Sequence, residues 1–176
     1  MSNTTLEHIT QQFVDTWSVH GIQRIVGEKQ QTQKFWNGLV RDVLGRPDLE
    51  KQAEPEYKTA ANGFIDMLYP DARVLVEQKS SDVDLDKPEP RQGTMVTPAE
   101  QAKRYADALP PSLKPRYLCT CNFQTFRFYD LDEDPLATHK PFLEFPIDDL
   151  FASITNLTRI FGEHNSRTVV QQQLSE

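Results

Sequence analysis

Three charged side chains lie in or at the end of apolar runs near the middle of the sequence. Asp66 interrupts the run GFIDMLY, and Glu77 and Lys79 end the run VLVEQKS. A buried charge costs free energy unless it is paired or binds a metal. Two carboxylates and an ammonium group beside a divalent cation are the groups needed to hydrolyse a phosphodiester.

The two runs are predicted to form a β-hairpin that brings these side chains together. Side chains alternate between the two faces of a strand, so Glu77 and Lys79 share a face. If residues 69–72 form the turn, Asp66 faces Leu75 and Glu77 is its diagonal neighbour. In a register shifted by one pair, Asp66 faces Glu77 directly. Both registers predict that the two carboxylates and the lysine lie on the same side of the hairpin.

Asp66 and Glu77 are the predicted metal ligands, with the backbone carbonyl of Gln78 as a third. Neighbouring carboxylates repel each other, and a divalent cation removes that repulsion. Mg²⁺ prefers oxygen ligands of this kind, and Mn²⁺ is expected to substitute for it. Lys79 is predicted to orient the attacking water or to stabilise transition-state charge. The competing interpretation, an ordinary surface ion pair, is disfavoured by the apolar run before Glu77.

The remaining elements predict an α/β domain with a central mixed sheet flanked by helices. Residues 46–57 are predicted to form a charged loop, and residues 80–96 a mobile one. A capping box of Thr97 and Glu100 predicts the start of a helix. The predicted elements are helices within residues 3–21, 28–44, 97–109 and 147–161, and strands at 63–69, 73–80, 116–123, 125–131 and 142–146.

Composition limits the class of protein. The chain has 176 residues and a net charge of −7, which argues against a purely electrostatic DNA clamp. No apolar run is long enough to span a membrane, and no signal peptide is evident, so a cytoplasmic location is expected. Cys119 and Cys121 are the only cysteines, and the histidines are scattered. We therefore expect two buried thiols and no zinc site.

The spacing of Asp66 from Glu77-Gln78-Lys79 resembles the PD-(D/E)xK nuclease superfamily. Its restriction-endonuclease-like core is a mixed sheet flanked by helices, with the acidic motif on a hairpin. A second match is QAKRY, residues 101–105, which resembles the Q-x3-Y motif of the RecB-like branch. The resemblance implies that Gln101 and Tyr105 support the site from the helix after the hairpin, although helix packing alone also explains them.

Longer stretches resemble one family within that superfamily. They are GEKQQTQKFWNGLVRDVLG, GFIDMLYPDARVLVEQKSS, EQAKRYADAL and PRYLCTCNFQTFRFYDL, and the resemblance covers most of residues 1–160. They look like the N-terminal nuclease region of type IIL, MmeI-like restriction–modification enzymes and related putative DNA methyltransferases. We expect a nuclease-like domain over residues 1–165, and a polar tail or the start of a spacer over 166–176.

The resemblance implies a Mg²⁺-dependent endonuclease that cleaves double-stranded DNA and leaves a 5′-phosphate. It also implies downstream partners in the same polypeptide, an S-adenosylmethionine-dependent adenine methyltransferase and a target-recognition domain. This chain has no methyltransferase motif, so it is expected to be a fragment or a stand-alone relative. The alternative is a catalytically silent module that docks DNA, a partner domain or a second copy, and a homo-oligomer is left open.

Three further residues are weaker candidates. Glu28 opens a predicted helix and matches an acid that the superfamily often supplies to the metal. The helix dipole also favours an acid there, and both interpretations stand. Asp71 offers a second Pro-Asp pair, but it falls in the predicted turn. Ser80 follows the lysine and is expected to line the site.

Overall fold

The computed structural model describes residues 3–19, 28–137 and 140–162, without the side chains of residues 3 and 28–30. Its helices are α1 (Asn3–Trp17), α2 (Glu28–Gly38), continued by a π-helical turn (Leu39–Val43), α3 (Pro47–Gln52), α4 (Pro98–Asp107) and α5 (Leu150–Phe161). Its strands are β1 (Glu54–Lys58), β2 (Phe64–Tyr69), β3 (Val74–Gln78), β4 (Glu89–Arg91), β5 (Thr94–Val96), β6 (Tyr117–Cys121), β7 (Thr125–Asp130) and β8 (Leu143–Pro146). Short 3₁₀ turns occupy Pro111–Leu113 and Ile147–Asp149.

Six strands form one mixed sheet in the order β1-β2-β3-β6-β7-β8. β3 and β6 are parallel, and the other neighbours are antiparallel. The crossover from β3 to β6 passes through the separate β4–β5 hairpin and α4. A parallel connection requires such a crossover, because a tight turn cannot join strands that run in the same direction. The predicted α/β class with a mixed central sheet is confirmed.

Helices cover both faces of this sheet. One core joins α1, α2 and α5 to the face of β3 that carries Val74 and Val76. A smaller core packs α4 against the opposite face, which carries Leu68 and Leu75. Because side chains on β3 alternate, Glu77 lies on the α4 side of the sheet, whereas Gln78 lies on the side of the larger core.

Two segments predicted as loops contain regular structure. Residues 46–57 include α3 and most of β1, and residues 80–96 include β4 and β5. Pro47 at the first helical position and Asp48, which pairs with the buried Arg46, stabilise α3. β1 is a largely exposed edge strand without an alternating pattern, so its pairing with β2 determines its conformation.

The remaining predicted elements are observed, with small differences at their ends. The Thr97–Glu100 capping box is present, and α4 ends at Asp107 rather than Leu109. Cys119 and Cys121 are both free and buried, as expected. Burial raises the pKa of the Cys121 thiol to about 12. The proposed tail, residues 166–176, lies outside the described residues. No helix in the described part of the chain is long and apolar enough to cross a membrane.

Candidate metal centre and active site

The hairpin of β2 and β3 brings Asp66 and Glu77 to the same end of the two strands, one residue beyond the last pair. Tyr69 pairs with Val74, so the connection is residues 70–73 rather than a turn over 69–72. Continued two pairs beyond Leu68 and Leu75, this register would set Asp66 against Glu77. Of the two registers considered from the sequence, this is the one with the carboxylates directly opposed.

The two strands separate at Asp66, and its carboxylate enters the gap. The β2–β3 pairing ends at Met67 and Val76. The next N–H of β3 that points toward β2, that of Gln78, donates to Asp66 Oδ2 at 2.7 Å. Because the N–H and C=O of one strand residue point to the same edge, the Gln78 carbonyl also points toward Asp66. The Asp66 carboxylate and the Gln78 carbonyl therefore lie at this end of the two strands, beside Glu77.

Lys79 lies between two carboxylates. Its Nζ is 3.6 Å from Glu77 Oε1 and 3.4 Å from Glu89 Oε2. Only 5% of the Lys79 side chain is exposed, and its N–H donates to the carbonyl of Cys121 in β6. The flanking strand thus fixes the lysine backbone, and the two acids compensate the buried charge of its ammonium group.

The side chain of Gln78 anchors this end of β3 from the opposite face of the sheet. Its Oε1 accepts a 2.7 Å hydrogen bond from Trp36 Nε1 of α2, and its Nε2 donates to the carbonyl of Lys79 at 3.1 Å. Gln78 and Trp36 are both fully buried. These bonds restrict the backbone between Glu77 and Lys79, which carries the Gln78 carbonyl.

Gln101 and Tyr105 approach the carboxylates from α4. Burial is the largest cause that raises the pKa of Tyr105, and the charges of Glu77 and Asp66 raise it further. A hydrogen bond with Gln101 lowers it. The Tyr105 hydroxyl therefore stays protonated at neutral pH and can donate a hydrogen bond. Gln101 is 4% exposed, and among the described residues its Oε1 has no hydrogen-bond partner. The structure thus brings both residues of the Q-x3-Y pattern to the site.

Gly63, just before β2, provides the space for the Tyr105 ring. A methyl group at Gly63 would lie 2.3 Å from the Tyr105 hydroxyl oxygen and 2.5 Å from its ring. We expect Gly63→Ala to lower the free energy of unfolding by about 1–3 kcal/mol, as overpacking does. Urea denaturation would measure this change.

Gly38→Ala in α2 is a matched control for that prediction. Its new methyl would meet Phe13 at 3.6 Å, an ordinary contact. Alanine is about 1 kcal/mol better than glycine within a helix, so this variant should be neutral or more stable than the wild type. If Gly63→Ala and Gly38→Ala lowered the free energy of unfolding equally, a clash with Tyr105 would not explain the need for glycine at position 63.

The donor groups present fit a Mg²⁺ ion. Asp66, Glu77 and the Gln78 carbonyl offer only oxygen, the donor that Mg²⁺ requires. The described residues contain no group of three His, Cys, Asp or Glu side chains placed to hold a metal. Mg²⁺ is compatible with that, because it commonly takes one or two carboxylates and fills its other positions with water and substrate phosphate.

The three weaker candidates, Glu28, Asp71 and Ser80, have different outcomes in the structure. Glu28 is the first residue of α2, but its side chain is outside the described part, so its role stays a prediction. Asp71 is exposed in the connection at the far end of β3, which removes it as a ligand alongside Glu77. Ser80 follows Lys79, and its carbonyl accepts the N–H of Val83 in a turn.

Sequence analysis missed Glu89 and Arg91, because they fall in a segment predicted to be a loop. Glu89 pairs with Lys79, and Arg91 pairs with Glu89. The β4–β5 turn has positive φ at both Gln92 (50°) and Gly93 (81°), as a type I′ turn requires. The Gln92-Gly93 pair between two short segments was the signal for this hairpin in the sequence. Prolines on both sides of Glu89 weakened that signal, because proline is disfavoured within strands.

One family model matches nearly the whole chain. The family is described as the MmeI N-terminal domain, and its model matches residues 8–176. No match to a curated protein or to a solved structure accompanies it. The mixed sheet, with the acids on a hairpin and a helix leading to the next parallel strand, agrees with a PD-(D/E)xK core. The chain belongs to the MmeI N-terminal domain family and is part of a restriction–modification enzyme.

Proposed function

We propose that this chain is a metal-dependent endonuclease domain that hydrolyses phosphodiester bonds of double-stranded DNA. The observation that supports it most is the contact of the Asp66 carboxylate with the Gln78 N–H at 2.7 Å, between Glu77 and Lys79, whose Nζ is 3.6 Å from the Glu77 carboxylate. Membership in a restriction–modification family makes DNA the expected substrate. The oxygen donors and the adjacent buried ammonium group match what phosphodiester hydrolysis requires.

Each group in the site has a distinct role in this proposal. The carboxylates of Asp66 and Glu77 and the carbonyl of Gln78 hold Mg²⁺. The Gln78 N–H fixes the orientation of the Asp66 carboxylate. Lys79 Nζ orients the attacking water and stabilises negative charge that develops on the phosphoryl oxygens. The protonated hydroxyl of Tyr105 offers a hydrogen-bond donor near the same carboxylates.

When bound, Mg²⁺ would supply electrophilic polarisation of the phosphate and a binding position for water. Water attacks phosphorus opposite the 3′ oxygen, so the P–O bond to that oxygen breaks and the product keeps a 5′-phosphate. In the same proposal, a methyltransferase and a target-recognition domain belong to the same polypeptide and direct the cut.

The second candidate is a nuclease-fold module without catalysis. The ion pairs of Lys79 with Glu77 and Glu89 favour it, because they compensate the buried ammonium group without a metal or a substrate. Such a module would bind duplex DNA or a partner without breaking a phosphodiester bond. It would not need a divalent cation for that purpose.

Plasmid nicking separates the two candidates. Supercoiled plasmid is incubated with the chain in Mg²⁺, in Mn²⁺ and in EDTA, and with the Glu77→Gln variant as the matched control. We expect nicked circles in both metals, with 5′-phosphate ends, and none in EDTA or with the variant. Equal nicking by wild type and variant, or no nicking by the wild type even when it is joined to its downstream domains, would contradict the enzymatic proposal.

A further inference from the structure

A single carboxylate oxygen lies between two cations at the edge of the candidate site. Glu89 Oε2 is 3.4 Å from Lys79 Nζ and 3.1 Å from an Arg91 guanidinium nitrogen. The Lys79 side chain is 5% exposed, whereas that of Arg91 is 41% exposed. The Lys79 ammonium group is therefore buried, whereas the Arg91 guanidinium group is accessible to solvent.

The β4–β5 hairpin that carries Glu89 and Arg91 is held in place on two further sides. Arg104 of α4 donates to the hydroxyl of Thr94 at 3.3 Å, and Gln92 at the turn donates to the carbonyl of Ala61 at 3.0 Å. Through Glu89, the Arg91 guanidinium is linked to Lys79, whose Nζ is 3.6 Å from the Glu77 carboxylate.

The Glu89 carboxylate lies between an ammonium and a guanidinium group, which is a position that suits a phosphate. Arginine binds phosphate through two parallel N–H groups, and lysine acts as a point charge. The Glu89–Arg91 pair is partly exposed, and such pairs contribute little to stability. Breaking this pair should therefore cost little, and a bound phosphate would replace the Glu89 carboxylate as the anion beside the buried Lys79.

We propose that Lys79 and Arg91 together bind one backbone phosphate of duplex DNA, at the place that the Glu89 carboxylate takes in the DNA-free chain. This inference rests on the proposed function, because it assumes that duplex DNA is the ligand. It adds a phosphate-binding residue, Arg91, and a competing anion, Glu89. The net charge of −7 makes local cations necessary, since the chain as a whole repels DNA.

Duplex binding as a function of salt tests this inference. Fluorescence anisotropy of a short labelled duplex is measured in Ca²⁺, and gel analysis confirms that the duplex stays intact. Each phosphate contact contributes about 0.9 to the slope of log affinity against log salt concentration. Arg91→Gln should weaken binding and reduce the slope by up to that amount, because Lys79 still contacts the same phosphate. Glu89→Gln should bind several-fold more tightly than the wild type, because it removes the competing anion.

Two variants control for charge and folding. Arg73→Gln changes an exposed arginine at the other end of β3 and should leave affinity and slope unchanged. Arg91→Lys keeps the positive charge and should retain most of the slope. A wild-type slope for Arg91→Gln, no gain in affinity for Glu89→Gln, or no measurable duplex binding by the wild type would overturn the inference.

The outcome is distinguishable from that of the proposed function. If the wild type nicks plasmid in Mg²⁺ but Arg91→Gln keeps the wild-type slope, only the phosphate-binding inference fails. If the slope changes as expected but no metal-dependent nicking occurs, the phosphate site stands and the endonuclease proposal fails.

Discussion

Replacing Lys79 with methionine is expected to lower the rate of Mg²⁺-dependent plasmid nicking by about a thousandfold, the scale of losing one transition-state donor. Methionine keeps most of the apolar stem that packs at this 95%-buried position and removes only the ammonium group. The variant should still bind metal, because the carboxylates of Asp66 and Glu77 are intact. The rate is measured from the initial appearance of nicked circles at saturating metal.

Lys103→Met provides the matched control. Lys103 lies on α4 and pairs with Asp107 four residues along the same helix. Methionine keeps its apolar stem, so the variant should change the nicking rate by less than twofold and stability only slightly, as expected for an i, i+4 helix ion pair whose acid is exposed. If Lys79→Met nicks at the wild-type rate, Lys79 has no part in the chemistry.

Replacing Asp66 with asparagine is expected to remove the stabilisation that Mg²⁺ gives to the folded chain. A ligand at a hundred times its dissociation constant adds about 2.7 kcal/mol to the free energy of unfolding. For a chain of this size that raises the melting temperature by roughly 5–10 °C. Asp66→Asn should lose most of this increase, together with nicking, because one of two carboxylates is gone.

Without metal the same variant should be as stable as the wild type or more stable. An asparagine oxygen can still accept the N–H of Gln78, and the repulsion from Glu77 is relieved. Thermal melts with and without Mg²⁺ measure both effects. The control is Asp71→Asn, an exposed aspartate at the far end of β3. A full Mg²⁺ response in Asp66→Asn, or its loss in Asp71→Asn, would show that the ligands are assigned incorrectly.

The elements around the site follow from local sequence signals. The β2 and β3 runs are apolar and are bounded by turn residues, and the Thr97–Glu100 capping box begins α4. Side chains alternate along each strand with a period of two, so Asp66, Glu77 and Lys79 share a face in either register considered. The sequence therefore predicted that they lie on one side of the hairpin, but it did not predict which register forms. The pairing of Tyr69 with Val74, and hence a turn over residues 70–73 rather than 69–72, selects the register in which Asp66 and Glu77 would be opposed.

Other features depend on contacts between distant parts of the chain. β1 becomes a strand because it pairs with β2, and its own side chains alternate too little to indicate that. The hydrogen bond of Trp36 to Gln78 joins residues 42 positions apart, and no local pattern encodes it. Likewise, Glu89 reaches Lys79 because the β4–β5 hairpin packs against α4 and the turn before β2.

The most direct test of the metal centre is a crystal of this chain grown with Mn²⁺ and measured near the manganese absorption edge. The account predicts one strong anomalous peak between the carboxylates of Asp66 and Glu77, within bonding distance of the Gln78 carbonyl, and its absence in crystals of Asp66→Asn. A map without a peak there, or with manganese bound at another place while these carboxylates contact only protein, would contradict it.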